Sequence, residues 1–190
     1  MNKKTEEDIY YFEKETINLS KIDSKGIILD IGGGGEGIIG KLNGKNVISI
    51  DKLKEELEET INNSIKIVMD ASELKFLDNS IDIVTSFFSF MYIRKIDLNK
   101  VFSEIYRVLK NDGKLLIWDI NIKEDYGNKK IIIIPVDIKI NRKTIHVDYG
   151  VNWKNNSQNK EFFIKNAIEA GFKLNKNNSK DERIELEFIK

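Results

Sequence analysis

The 190-residue sequence has no cysteine, one proline (Pro135) and one histidine (His146). Without cysteine there are no disulfides, no thiolate metal sites and no thiol nucleophile. A single proline leaves no proline-rich linker. Charge of either sign is not in excess: 31 Lys and Arg balance 31 Asp and Glu. No net field therefore exists to gather nucleic acid or an anionic membrane. The longest apolar run, Ile131 to Ile134, is far too short to span a bilayer. The start, Met1 to Asp8, is polar and lacks the apolar stretch of a secretion signal. One domain, cytoplasmic, as a monomer or small homo-oligomer, is the expectation.

What the chain does have is glycine in one place. Ile27-Ile28-Leu29-Asp30-Ile31 runs straight into Gly32-Gly33-Gly34-Gly35-Glu36-Gly37, an apolar strand meeting a glycine-rich turn and then a helix. Nineteen residues past Gly32, a second apolar run ends in Asp51, and a third, Ile65 to Met69, ends in Asp70. Three strands that each stop on a carboxylate place a pocket at the carboxyl ends of a parallel sheet. Glycines let backbone N–H groups approach a ligand, and a carboxylate on the next strand can grip a ribose diol. The spacing Gly32-x-Gly34-x-x-Gly37 with Asp51 also fits a dinucleotide fingerprint. Asp30, however, would repel a pyrophosphate and could receive a cationic amino acid end. Asp70 offers an acceptor to an adenine amino group.

With the stretch Glu104 to Ile117, these motifs occur in the order that resembles the class I S-adenosylmethionine-dependent methyltransferases, in their small-molecule branch, over roughly residues 25 to 121. The resemblance implies S-adenosylmethionine as cofactor. It sets Gly32 and Gly34 against the methionine and ribose, Asp51 on both ribose hydroxyls, and Asp70 at the adenine amino group with the Ala71 backbone beside the ring. Asp30 would bind the turn amides and, through water, the cofactor's amino group. Ser86 and Phe87, ending the fourth strand, would lie near the methionine end. Glu36 stands where the family usually has its third glycine, with Gly37 one step later.

The expected fold is α/β: a doubly wound, Rossmann-like, mostly parallel seven-stranded sheet with an antiparallel last strand. Alternating strands and helices imply right-handed crossovers. Strands are expected at 26–31, 46–51, 65–69, 81–87 and 114–120, the last after a turn at Asn111-Asp112-Gly113. Helical spacing of Ile9, Phe12, Thr16 and Leu19 predicts an N-terminal helix over Thr5 to Leu19. Ile131 to Ile138 and Lys143 to Tyr149, flanking Asn141-Arg142, predict a hairpin inserted after strand five. Four segments follow: a lid helix (1–24), a cofactor-binding core (25–121), the hairpin insertion (122–157), and the last helix and strands (158–190).

Two further patterns dissolve on inspection. Gly35-x-x-x-x-Gly40-Lys41 lacks the hydroxyl a phosphate loop needs next, having Leu42. Tyr106-x-x-x-Lys110 imitates a dehydrogenase pair but comes too soon after the glycine turn, as surface companions one helical turn apart. The substrate is narrowed by what is missing. A Pro-Pro-aromatic motif for amino groups of DNA bases or protein glutamine is absent, as is the cysteine for cytosine C5 methylation. Candidate acceptor contacts are Tyr10 and Tyr11 on the lid and Trp118 on strand five. His146, sharing a strand face with Asp148, is a candidate general base. The expected activity is methyl transfer to a small molecule by in-line displacement, with no metal. An NAD-dependent oxidoreductase and a non-catalytic cofactor-binding module are the alternatives.

Overall fold

The computed structural model describes residues 8–154 and 156–190. In chain order the elements are β1 (Ile9–Tyr11), β2 (Glu15–Leu19), β3 (Ile28–Ile31), α1 (Ile38–Asn43), β4 (Val47–Asp51), α2 (Lys54–Glu59), β5 (Ile65–Val68) and β6 (Ile81–Phe87). Then come α3 (Lys95–Val108), β7 (Leu109–Ile120), β8 (Ile131–Ile140), β9 (Lys143–Val151), α4 (Lys160–Ala170), β10 (Lys173–Asn177) and β11 (Arg183–Ile189). Seven strands form the main sheet in the order β10-β11-β7-β6-β3-β4-β5. Strands β3 to β7 run parallel, and β11 runs against both its neighbours. The chain winds outward from β3 to β5, then returns to β6 on the other side of β3. Strand order reverses there, so a crevice opens at the carboxyl end of β3, where the glycine turn lies.

Alternation decides which side chains enter which layer. On one face Leu29, Ile31, Val84, Leu115 and Ile117 pack with Leu98, Val101, Phe102 and Ile105 of α3 and Phe163 of α4. α3 is strongly amphipathic, with apolar residues three and four apart, as its sequence predicts. On the other face Ile28, Val47 and Ile83 meet α1 and a second, smaller sheet.

That small sheet corrects the expected N-terminal helix. Residues Ile9–Tyr11 and Glu15–Leu19 are strands that pair in parallel, end to end, along one edge of β8, while β9 takes the other edge. Residues 5–7 of the expected helix lie outside the described residues. The reason is a partner about 120 positions away, from Ile9 opposite Ile131 to Leu19 opposite Ile140. Ile17 and Leu19 are buried at a period of two, not 3.6. The hairpin forms and extends to Ile140 and Val151. It is no detached flap: Ile132, Ile134, Val136 and Ile138 are at most 1% exposed.

Two smaller departures concern the main sheet. The expected turn at Asn111-Asp112-Gly113 sits within β7, where the pairing jumps from Ile81–Leu109 to Ile83–Lys114 and Asp112 takes φ +63. The charged stretch after β4, which reads as a helix over 53–63, is helical only over Lys54–Glu59. No helix of the described residues is long and apolar enough to cross a membrane.

Candidate functional site

The crevice is built on the glycine turn. Gly32, Gly35 and Gly37 adopt positive φ, which a side chain would strain. Gly33 N–H donates to the Ile50 carbonyl at 3.0 Å and Gly35 N–H to the Glu56 carbonyl at 2.9 Å, tying the turn to β4 and α2. Space matters as much as torsion. A Cβ on Gly34 would stand 2.9 Å from Asp51 Oδ2 and 2.6 Å from Glu56 Cβ. On Gly33 it would stand 2.7 Å from Asp30 Oδ2. The backbone thus lies directly against two carboxylates.

Those carboxylates differ in setting. Asp30 is 3% exposed, and its Oδ1 accepts the Thr85 hydroxyl at 2.7 Å. Burial pushes its pKa up to about 7, Thr85 pulls the other way, and the Asp51 charge adds to the rise. Asp51 is half-buried and uses Oδ1 to accept the Leu53 N–H at 2.9 Å, leaving Oδ2 beside Gly34. Asp70 accepts the Ser72 N–H at 2.8 Å and pairs with Lys52 at 3.0 Å. The Ser72 backbone bond and Lys52 outweigh partial burial and hold its pKa down, to about 2. Ala71 packs beside it at the edge of the core.

Ser86 and Phe87 close β6. Ser89 donates to the Ile31 carbonyl at 2.7 Å, so its single proton is spent and Ser86 must donate to Ser89 across 2.7 Å. This pair fixes the loop after β6 against the end of β3. Phe87 is 7% exposed, with Phe88 at 5.2 Å and Trp118 at 5.9 Å between ring centroids. Trp118 is therefore packed on the end of β6. Tyr10 stands against Phe12 and Tyr126, and Tyr11 is 60% exposed.

His146 goes elsewhere. It lies opposite Asp137 on β8, and its Nδ1 is 2.7 Å from Asp137 Oδ1. Its side chain is 71% exposed. Along β9 the half-buried residues are Ile145, Val147 and Tyr149, so the histidine and Asp148 share the solvent face. The reading of His146 as a cleft base oriented by Asp148 is corrected accordingly: the side chain that reaches inward from this strand is Tyr149, stacked on Phe88 at 4.9 Å and 3°. Counting parity back from the buried Val151 identifies Tyr149 in the sequence, once the strand is known to end there. Tyr92, on the short 3-10 turn Phe90–Tyr92, is the other ring that strand and helix periodicity did not mark.

The Methyltransferase domain family matches residues 29–117, from β3 to β7. The ubiquinone/menaquinone biosynthesis C-methyltransferase UbiE of Rickettsia typhi is 36% identical over 115 residues, covering 50% of this chain and 44% of that protein. The chain spans from a third to just over half the length of the curated relatives it matches. Among solved structures, a Pyrococcus horikoshii protein superposes with a TM-score of 0.65 at 19% identity, covering 87% of this chain and 82% of that one. A Mesorhizobium loti S-adenosylmethionine-dependent methyltransferase gives 0.62 at 11% identity, covering 89% and 94%. Over residues 29–117, which hold the glycine turn and the acid-tipped strands, the chain is thus similar to the Methyltransferase domain family, on a fold that the solved structures share.

Proposed function

We propose that the protein binds S-adenosylmethionine across the carboxyl ends of β3, β4 and β5 and carries out methyl transfer to a small-molecule acceptor. The observation that carries this is the pair of carboxylates against the glycine backbone: Asp30 Oδ2 beside Gly33 and Asp51 Oδ2 beside Gly34. A pyrophosphate brought to that turn would meet acidic groups on both sides and hold Asp30 protonated, whereas a molecule with a cationic sulfur and an ammonium would draw Asp30 toward its charged form. The residues therefore fit this cofactor better than a dinucleotide.

In this reading Asp51, with one oxygen already fixed by Leu53, holds the ribose hydroxyls with the other. Gly32 and Gly34 allow close approach of the methionine and ribose. Asp70 and the Ala71 backbone face the adenine, and Lys52 must release or share Asp70 for that contact. Asp30, anchored by Thr85, orients the turn amides and the amino group. Ser86, its hydroxyl committed to Ser89, contributes backbone with Phe87 near the methionine end. Bound there, the cofactor supplies an electrophilic methyl on a sulfonium. The chain's own task is alignment and exclusion of water. The acceptor enters from the β6–β7 side, near Trp118, with Tyr10 and Tyr11 at the edge of the small sheet. Balanced charge supports a small molecule over nucleic acid. A cytoplasmic monomer or small homo-oligomer, its small sheet and core folding as one domain, completes the proposal.

Calorimetry with S-adenosylhomocysteine and with NADH tests it. The thioether should bind and the dinucleotide should not, and Asp51→Ala should weaken the thioether at least tenfold. Binding of NADH alone would replace this reading with the oxidoreductase.

A further inference from the structure

The cleft has a second group of polar atoms that the cofactor contacts leave unused. Tyr149 is pinned by its flat stack on Phe88, itself held at φ +50 with its N–H donated to the Trp118 carbonyl at 2.8 Å. A phenylalanine in that backbone region is strained, and such strain persists only where surroundings enforce it. Tyr92 is half-exposed and close enough to raise the pKa of the Tyr149 hydroxyl. Among the described residues neither tyrosine hydroxyl has a hydrogen-bond partner. Burial pushes both phenols up, and acidic groups add to the rise: Asp119 and Glu56 at Tyr92, and Glu36, Asp30 and Asp119 at Tyr149.

Asp119 is the informative one. It closes β7, is 0% exposed, and its Oδ1 accepts the Ile120 N–H at 2.9 Å and Gln158 Nε2 at 2.7 Å. Its Oδ2 accepts no hydrogen bond. The backbone N–H groups of Phe90 and Met91 lie near enough to favour its charged form, yet neither closes a bond on that oxygen. Such burial disfavours the ionised form and pushes its pKa up to about 7, so a positive charge arriving at the cleft would draw Asp119 toward its charged form.

We propose that Tyr92 and Tyr149 form the mouth of the acceptor subsite, and that the acceptor it takes is an amine carrying no anionic group. This rests on the methyltransferase reading above. The ring faces of Tyr92 and Tyr149 attract a cation, and the carboxylates behind them deepen that attraction while repelling carboxylate or phosphate. The phenols make the contact, and Asp119 supplies field from behind them. For transfer, the bound ammonium gives one proton to water at the exposed side of Tyr92. The freed nitrogen lone pair then forms the N–C bond as the C–S electron pair returns to sulfur. Charge and atoms balance with no further reactant.

The test is a titration of the full chain with 2-phenylethylamine and tyramine against 3-phenylpropanoate and its 4-hydroxy derivative, with and without saturating S-adenosylhomocysteine. The amines should bind at least tenfold tighter than the matched acids. Tyr92→Lys should reduce that ratio to near one, and Tyr149→Phe should weaken the amines severalfold, both leaving S-adenosylhomocysteine affinity within threefold. Equal or tighter binding of the acids would overturn the proposal and favour instead the cavity of about 380 Å³ beyond β7, where Lys95 and Lys123 stand. Binding of neither series, or a ratio unmoved by Tyr92→Lys, would also overturn it. Failure of S-adenosylhomocysteine to bind is a separate readout that defeats the cofactor reading, while the titrations without it still decide the subsite.

Discussion

Two glycines with positive or crowded settings show how differently one residue type can be used. Gly34 leaves no room, since a Cβ there would press on Glu56 and Asp51. Gly34→Ala should cost roughly 1–3 kcal/mol of stability by overpacking and lower S-adenosylhomocysteine affinity at least tenfold, read by urea melts and calorimetry. Gly44, at φ +60, has nothing within 4 Å of its added Cβ. Gly44→Ala should cost about 1–3 kcal/mol through backbone strain alone, its ψ of −127 lying outside even the left-handed helical region, with cofactor affinity unchanged. Equal losses of affinity in both would mean that Gly34 matters for folding and not for the ligand. His146 belongs to the same scale. Its bond to Asp137 is at the surface, so His146→Ala should move stability by less than about 1 kcal/mol and leave methyl transfer intact.

Among the elements, the small sheet separates core from lid. β8 sends Ile132, Ile134, Val136 and Ile138 inward against the main sheet and α1. Ile134→Ala should therefore cost about 2–5 kcal/mol in urea denaturation, the range for truncating a packed aliphatic side chain. A hinged flap would lose far less, and a cost under about 1 kcal/mol would show that the hairpin is not packed as core. The same sheet carries Tyr149 into the cleft, so the layer that completes the core also furnishes an acceptor contact. β1 and β2 add hydrogen bonds along the β8 edge, which would otherwise lie open.

Among the described residues the molecule carries two fully buried carboxyl groups, Asp30 and Asp119, each pushed up to about 7 mainly by burial. The folded state keeps their protons where the unfolded chain, with ordinary Asp values, has lost them. Their contribution is thus complete below about pH 4, declines as pH rises toward 7, and is constant beyond. Asp70 behaves oppositely, held at about 2, and its contribution fades only as pH falls below about 4. Urea midpoints should therefore fall from pH 5 to pH 8, and Asp119→Asn should reduce the fall. An unchanged slope in that variant would show that Asp119 ionises as freely folded as unfolded.

Local signals were enough for the strand–glycine turn–helix of 27–43, the acid tips Asp51 and Asp70, the apolar stripe of α3 and the β8–β9 hairpin, because each depends on neighbours within a few positions. Residues 8–19 could not be read that way. Ile9, Phe12, Thr16 and Leu19 satisfy a helical spacing, and only the open edge of a strand 120 positions later made them extended. The same holds for the cleft's second face. Which of His146 and Tyr149 points inward depends on which side of the small sheet the main sheet covers, and Asp119 becomes a buried acid with one unpartnered oxygen only when Gln158 and the 90–92 turn close over it. Sequence order set the chemistry of each strand tip; burial and register, which are properties of the assembled layers, chose the residues that look at one another across the crevice.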